Sequence, residues 1–250
     1  MRWAGMVFCA SLGLAALAAQ ASSPDRWPLP PSRPPDLPGT PQAQPTGPLP
    51  VSSGPAARSP PALPPADACL EELAQARTEA DPAPNPPTPL PDCAIPTPVR
   101  LKTIGLTSGA TLNLPARPIL DCRFAKIFAD FVRTVAAPLA EASLGSPLAA
   151  LDTGPGYACR ARNGVTGART SAHGEGIAID VTAFVLADKR RIAIGRPADA
   201  PETLFLRAVR TAACGWFTTI LGPGSDAAHA DHLHLDALQH GSNGHYRICE

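Results

Sequence analysis

Proline divides this chain before any other property does. Of its 32 prolines, 24 lie between Pro24 and Pro98, which leaves eight for the stretch to Glu250. Proline fixes φ and lacks a main-chain donor, so a run dense in it forms neither a helix interior nor a central strand. The chain therefore reads as a proline-rich arm followed by one domain of ordinary size, with the boundary near residue 65. From Ser22 to Pro65 the text is Pro, Ser, Ala, Gly and Thr with isolated charges, as in Pro28-Leu29-Pro30-Pro31. Such a segment has too little apolar surface to offset its ordering entropy, and residues 22–65 are expected to be a disordered, polyproline-like tether. A proline-rich ligand for a partner domain is the other reading of that composition.

Ahead of the tether, residues 1–21 read as an export signal. Arg2 supplies a minimal positive start, Ala4 to Ala18 is nearly all small or apolar, and Ala19-Gln20-Ala21 fits a small-x-small cleavage site before Ser22. The apolar run is short for a bilayer span of ~20 residues, which argues against an uncleaved anchor and for a mature chain without a transmembrane span. Cys9 follows Phe8, where an acylation site would carry a small residue. Cleavage leaves Cys69, Cys93, Cys122, Cys159, Cys214 and Cys249, an even number in an exported chain, and so three disulfides are expected. No two of the six form a Cys-x-x-Cys pair, which disfavours a cysteine metal site. Their connectivity is open, since six cysteines allow about fifteen pairings.

Charge names no partner. Lys plus Arg equals Asp plus Glu at 21 each, and Cys93 to Glu250 carries 16 basic and 13 acidic residues, a net of +3. Neither nucleic acid nor an anionic membrane surface is implied.

Within the domain, Asp67 reads as the cap of a helix with Leu70, Leu73 and Ala76 at helical spacing, ending near Ala80. A second proline cluster, Pro82 to Pro91, follows. Phe124, Ile127, Phe128, Phe131, Val132 and Val135 make one helical stripe between Asp121 and Ala137, stopped by Pro138. Asp199-Ala200-Pro201-Glu202 starts another helix, which Gly215 ends. The strands are read at Val99 to Leu106, Gly176 to Val185, Arg190 to Ile194, Trp216 to Leu221 and His232 to Leu238. Helices and strands are interspersed without regular alternation, so the expected class is α+β for a domain over 66–250.

The chemistry concentrates late. All six histidines lie between His173 and His245, three of them in His229-Ala-Asp-His232-Leu-His234-Leu-Asp236. On a strand, His232, His234 and Asp236 share one face and Leu233 and Leu235 the other, which makes the strand the wall of a site. Upstream stands Ser171-Ala-His173-Gly-Glu-Gly176-Ile-Ala-Ile-Asp180. Its glycines permit a tight turn that brings His173 off a loop while Asp180 projects from the strand that follows. Imidazole nitrogen and carboxylate oxygen are the donors Zn²⁺ takes in hydrolytic sites, where three protein ligands leave a fourth position for water. His173, Asp180 and one or more of the later histidines are the candidates. A serine-hydrolase reading of Ser171, His173 and Asp180 lacks a nucleophile elbow, and Ser171 is better read as a hydrogen bonder behind the ligands.

Ser171-x-His173-x-x-Gly176-x-Ala178-x-Asp180 followed by His232-x-His234 resembles the zinc peptidases of the D-Ala-D-Ala carboxypeptidase and murein endopeptidase kind, which share the Hedgehog/DD-peptidase fold. A closer resemblance is to the extensin-like C-terminal domain family of exported bacterial proteins. It is carried by Pro98-Val-Arg-Leu101, Tyr157-Ala-Cys159-Arg160, the Ser171 to Asp180 stretch, Leu221-Gly-Pro-Gly-Ser-Asp226 and His229 to Asp236. The resemblance implies a disulfide-stapled domain with a small, mainly antiparallel sheet and flanking helices. It implies His173, Asp180 and His234 as zinc ligands, His232 as the catalytic histidine, and Arg160 near the substrate carbonyl or carboxylate. The carboxypeptidase branch has a Glu base three residues before its last ligand, where this chain has the shorter Asp231, and His232 is therefore the favoured base. The expected function is hydrolysis of an amide bond in the peptide part of peptidoglycan, in the bacterial periplasm. The rivals are a non-catalytic cell-wall or protein-binding module with a structural metal, and a scaffold without metal.

Overall fold

The computed structural model describes residues 66–250 except Pro89, Pro91, Thr166, Ser242, Asn243 and His245, so the segments read as an export signal and a tether lie outside the described residues. The domain is a mixed α+β structure. Its elements are α1 (Ala66–Gln75), β1 (Glu79–Pro82), β2 (Pro98–Gly105), β3 (Thr111–Asn113), β4 (Ile119–Asp121), α2 (Cys122–Phe131), α3 (Ala137–Leu144), β5 (Leu148–Thr153), β6 (Ala178–Leu186), β7 (Arg191–Ala193), α4 (Ala200–Ala213), β8 (Thr219–Leu221), β9 (Leu233–Asp236) and β10 (Ile248–Cys249). Among the described residues no helix is long and apolar enough to cross a membrane.

The helices follow the sequence with two differences. α1 ends at Gln75, and of the residues expected to continue it Glu79 and Ala80 enter the edge strand β1. Arg77 adopts φ 54°, its N–H bonding Ala74 O (2.8 Å) while Thr78 N–H bonds Leu73 O (2.8 Å). These two bonds are the left-handed closure that normally uses glycine, and a helical stripe gives no sign of it. Pro138 does not stop the central helix. Residues Val132–Ala136 widen into a π-turn, Ala137 N–H reaching back to Val132 O, and Pro138 then sits in the first turn of α3, where its missing donor is tolerated. The segment ends instead at Gly145 (φ 69°).

α2 forms where it does because Asp121 Oδ1 accepts from Arg123 N–H (3.0 Å) at its start and Phe124, Phe128 and Phe131 bury one face. Burying each such ring fully is worth roughly 1.5–3 kcal/mol. Phe124 and Phe131 both meet Phe217, at 6.1 and 5.2 Å between centroids, which joins α2 to the segment after α4.

The sheet is large, a correction to the small one the resemblance implied: ten strands in the order β1-β2-β3-β5-β6-β9-β8-β10, with β4 on β2 and β7 on β6. Strands of two or three residues, such as β3, β4 and β10, are too short to carry an alternation, which is why the sequence did not show them. The sheet is mainly antiparallel, β3 with β5 and β8 with β10 being parallel pairs. All six cysteines expected in the mature chain are paired, as Cys69–Cys122, Cys93–Cys159 and Cys214–Cys249.

One irregularity positions the site. Ile179 and Val181 point into the core, and so do Phe184 and Leu186, although these two pairs differ in parity along β6. Against β5, Thr153 pairs with Val181 and Asp152 with Ala183, so Thr182 is an extra residue. This bulge resets the alternation and lets the first half of β6 turn Asp180 away from the core while its second half stays apolar-in.

Candidate functional site

Cross-strand register builds the floor. Asp180 on β6 pairs with His234 on β9, and His234 pairs with Leu221 on β8. One step along, Asp236 pairs with Thr219. These side chains line a cavity of about 600 Å³, while Leu233 and Leu235 on the opposite face of β9 lie in the core. The expected split of β9 into an apolar and a polar face is observed, although the strand begins at Leu233 and leaves His232 just ahead of it.

His173 arrives from the side, on a single 3₁₀ turn (Ala172–Glu175) that follows a short ladder. In that ladder Ala161 bridges Thr170, Arg162 N–H bonds Arg169 O (2.9 Å) and Ser171 N–H bonds Arg160 O (3.0 Å). Gly176 (φ 70°) ends the turn, where a Cβ would lie 2.9 Å from both Asp121 N and Ile95 Cγ1. Gly174 is needed for a different reason. A Cβ there would meet Thr170 Cγ2 at 2.7 Å and Cys93 Sγ at 2.9 Å, so the Cys93–Cys159 disulfide packs directly against the His173 turn.

The three groups converge. His173 Nε2 lies 3.2 Å from His234 Nδ1 and 3.3 Å from Asp180 Oδ1, and His234 Nδ1 lies 2.9 Å from the same oxygen. One donor atom from each falls within 4.8 Å of the others. Their far sides are held as well. Gly156 O accepts from His173 Nδ1–H at 2.7 Å, and Asp236 Oδ2 accepts from His234 Nε2–H at 3.2 Å. Asp236 is fixed in turn by Thr218 Oγ1 (3.2 Å) and Leu238 N–H (3.0 Å) on its Oδ1.

The electrostatics follow from this packing. Burial raises the Asp180 carboxyl, but the hydrogen bonds and charge from His173 and His234 outweigh it and hold the group far below the usual carboxylate range. Burial lowers His234, but Asp180 and Asp236 on its two nitrogens outweigh that and push it up to about 9.

The other expected residues occupy the rim. His232 Nε2 is 3.6 Å from Asp180 Oδ1, and its Nδ1–H donates to Asp231 Oδ1 (3.0 Å). The Asp231 side chain is 88% exposed. Arg160 is exposed and lines the same cavity. Ser171 also lines it but holds the turn through its main chain, and among the described residues its hydroxyl bonds none of the three converging groups.

Sequence reasoning passed over several groups. Asp226 Oδ1 accepts from His229 Nδ1–H (2.7 Å), a pair signalled by the Asp-x-x-His spacing of a capped turn. Arg162 lines the cavity beside Arg160, and Thr219 Oγ1 meets His240 Nε2 at 2.7 Å. Gly156 contributes only a carbonyl, for which no side-chain pattern exists.

No curated protein matches the chain. No solved structure matches it either. The family model described as Extensin-like protein C-terminus matches residues 67–250, and thus the whole of the cavity, its floor and its rim. On that match the chain belongs to the extensin-like protein C-terminus family.

Proposed function

We propose that this domain is a metal-dependent hydrolase that cleaves an amide bond in the peptide part of peptidoglycan, exported to the bacterial periplasm, with a Hedgehog/DD-peptidase type of fold. The observation that carries the reading is the convergence of His173, Asp180 and His234 on the floor of an open cavity of about 600 Å³. Three disulfides support an oxidising compartment.

The donor set fits Zn²⁺. Two imidazoles and one carboxylate are ligands of its hydrolytic sites. Each imidazole gives its other nitrogen to an oxygen acceptor, Gly156 O for His173 and Asp236 for His234, and these outer bonds select the tautomers that leave Nε2 of His173 and Nδ1 of His234 as the donors. Zinc held there supplies Lewis acidity, polarising a carbonyl and lowering the pKa of water toward ~7.

The chain's own groups do the rest. His232 is the base: its Nδ1–H is committed to Asp231, so Nε2 faces the cavity with a lone pair. Asp231 is the weaker candidate, because its carboxylate is turned to His232 and mostly in solvent. Arg160, on the rim of the same cavity, is the cation we assign to the charge that develops on the substrate oxygen.

The test is hydrolysis itself. Zinc-loaded protein incubated with purified muropeptides, cross-linked and uncross-linked, is expected to release fragments identified by mass. Binding to sacculi with no fragment from either class would replace the hydrolase with a non-catalytic cell-wall module.

A further inference from the structure

The cavity holds one more imidazole that the reaction above leaves without a task. His229 ends the one-turn helix Ala227–His229 that leads toward β9. Asp226 caps that turn, its Oδ1 accepting from Ala228 N–H (2.8 Å), His229 N–H (3.2 Å) and His229 Nδ1–H (2.7 Å). Three bonds on one oxygen fix the ring. With Nδ1 committed as the donor, Nε2 carries the lone pair, and among the described residues it has no partner. The residue is only 9% exposed, yet it lines the cavity. Its ring centroid is 5.2 Å from that of His232 and 5.7 Å from that of His234.

His229 and His232 are therefore neighbouring imidazoles, each tied by Nδ1 to a carboxylate; among the described residues neither Nε2 makes a hydrogen bond, although that of His232 lies 3.6 Å from Asp180 Oδ1. The two O–H bonds of a water diverge by about 105°, so two acceptors each ~2.8 Å from its oxygen stand about 4.4 Å apart. Rings with centroids 5.2 Å apart on one cavity wall leave room for their Nε2 atoms to take both O–H bonds of one water.

We propose that His229 and His232 form a two-acceptor cradle for the attacking water, with Asp226 as the positioning residue that aims His229. The inference rests on the hydrolase reading of the site. The water oxygen bonds to the carbonyl carbon while one of its protons passes to His232 Nε2. When the C–N bond breaks, its electron pair stays on the leaving nitrogen, which takes that proton from His232, and the products are a carboxylic acid and an amine. His229 exchanges no proton. It keeps the remaining O–H of the water from turning away from the carbonyl.

His229→Ala is expected to keep one zinc per chain and a KM within ~3-fold of the wild type while kcat falls ~10²-fold. Asp226→Asn, which can still accept at Oδ1, should lose ~10-fold in kcat. The double variant His229→Ala/His232→Ala should lose little beyond the worse single variant, because both rings hold one water. Losses that multiply, an unchanged kcat in His229→Ala, or loss of zinc from it would each overturn the cradle. If the wild type cleaves no muropeptide, the hydrolase reading fails first, and ¹⁵N NMR of the zinc-loaded protein reads the pairing by itself. A proton on His229 Nδ1 with a bare Nε2, disturbed in Asp226→Asn, supports the positioned acceptor, and a proton on Nε2 overturns it.

Discussion

The floor and the rim of the cavity both present histidines, but they are held by different means. Asp180, His234 and Asp236 stand on strands whose register pairs them, and their hydrogen bonds run across β6 and β9 and into the loop after β9. Moving them means breaking the sheet. His229 and His232 stand on the segment between β8 and β9, and each is aimed by a carboxylate three residues or one residue before it. A single substitution can disarm either without touching the core. The floor is thus built to fix donor atoms in place, and the rim to orient groups that act on something placed above them.

The largest effect that separates the two regions should come from Asp180→Ala. It removes the oxygen that both His173 and His234 approach, and leaves two imidazoles with no anion between them. Zinc content measured on the purified variant should fall from about one per chain to none, and muropeptide hydrolysis should disappear with it. The fold should survive, since Asp180 points away from the apolar face of β6. Full zinc retention would show that floor and rim do not differ in the way described.

The rim gives the next effect. His232→Ala should keep its zinc and lose ~10²–10⁴-fold in turnover, the range expected for one general base. Loss of zinc on this change would move His232 from the rim to the floor.

The contrast also explains what could be read in advance. The floor was legible because alternation on a strand is a sequence pattern: His234 and Asp236 against Leu233 and Leu235 declares one wet face and one dry face. The pairing that brings Asp180 opposite His234 was not legible. It depends on the bulge at Thr182 and on strands too short to show a period. Family resemblance singled out three residues whose donor atoms come together, while Asp226, Arg162 and the Gly156 carbonyl went unassigned because their contributions come from local turns and main-chain atoms. At fold level, the proline arithmetic set the start of the domain close to the family match at residue 67, and the even cysteine count gave three disulfides. The extent of α1 and the passage through Pro138 were misread for one reason: a left-handed arginine and a π-turn are both answers that the backbone supplies and the side-chain pattern does not.

The turn that carries His173 delivers its imidazole to the floor but is built like the rim, from local geometry, and it sharpens the comparison. Gly176→Ala would put a Cβ on a left-handed residue, 2.9 Å from Asp121 N and from Ile95 Cγ1. The left-handed conformation alone costs roughly 1–2 kcal/mol, and the contacts add to it. Denaturant unfolding should register a loss of about 2 kcal/mol, and competition with a chelator should show weaker zinc binding, since His173 must shift with its turn. An unchanged midpoint would mean that the turn relaxes freely and that the floor is less rigid on that side.

The smallest effect is the most informative about the base. Asp231 and His232 are bonded to each other at 3.0 Å, so either could take the proton in principle, and they differ in where they face. The Asp231 side chain is 88% exposed and that of His232 is 18% exposed, its Nε2 within 3.6 Å of Asp180. If His232 is the base, Asp231→Asn changes little, because the amide oxygen can still accept from Nδ1–H and the charge it removes was already screened by water. Turnover should then fall by no more than ~5-fold, with zinc content and KM unchanged. If Asp231 were the base, its amide variant would suffer the ~10²–10⁴-fold loss and His232→Ala the milder one. Measuring both variants on one muropeptide preparation fixes the order of the two defects, and that order decides which side chain accepts the proton.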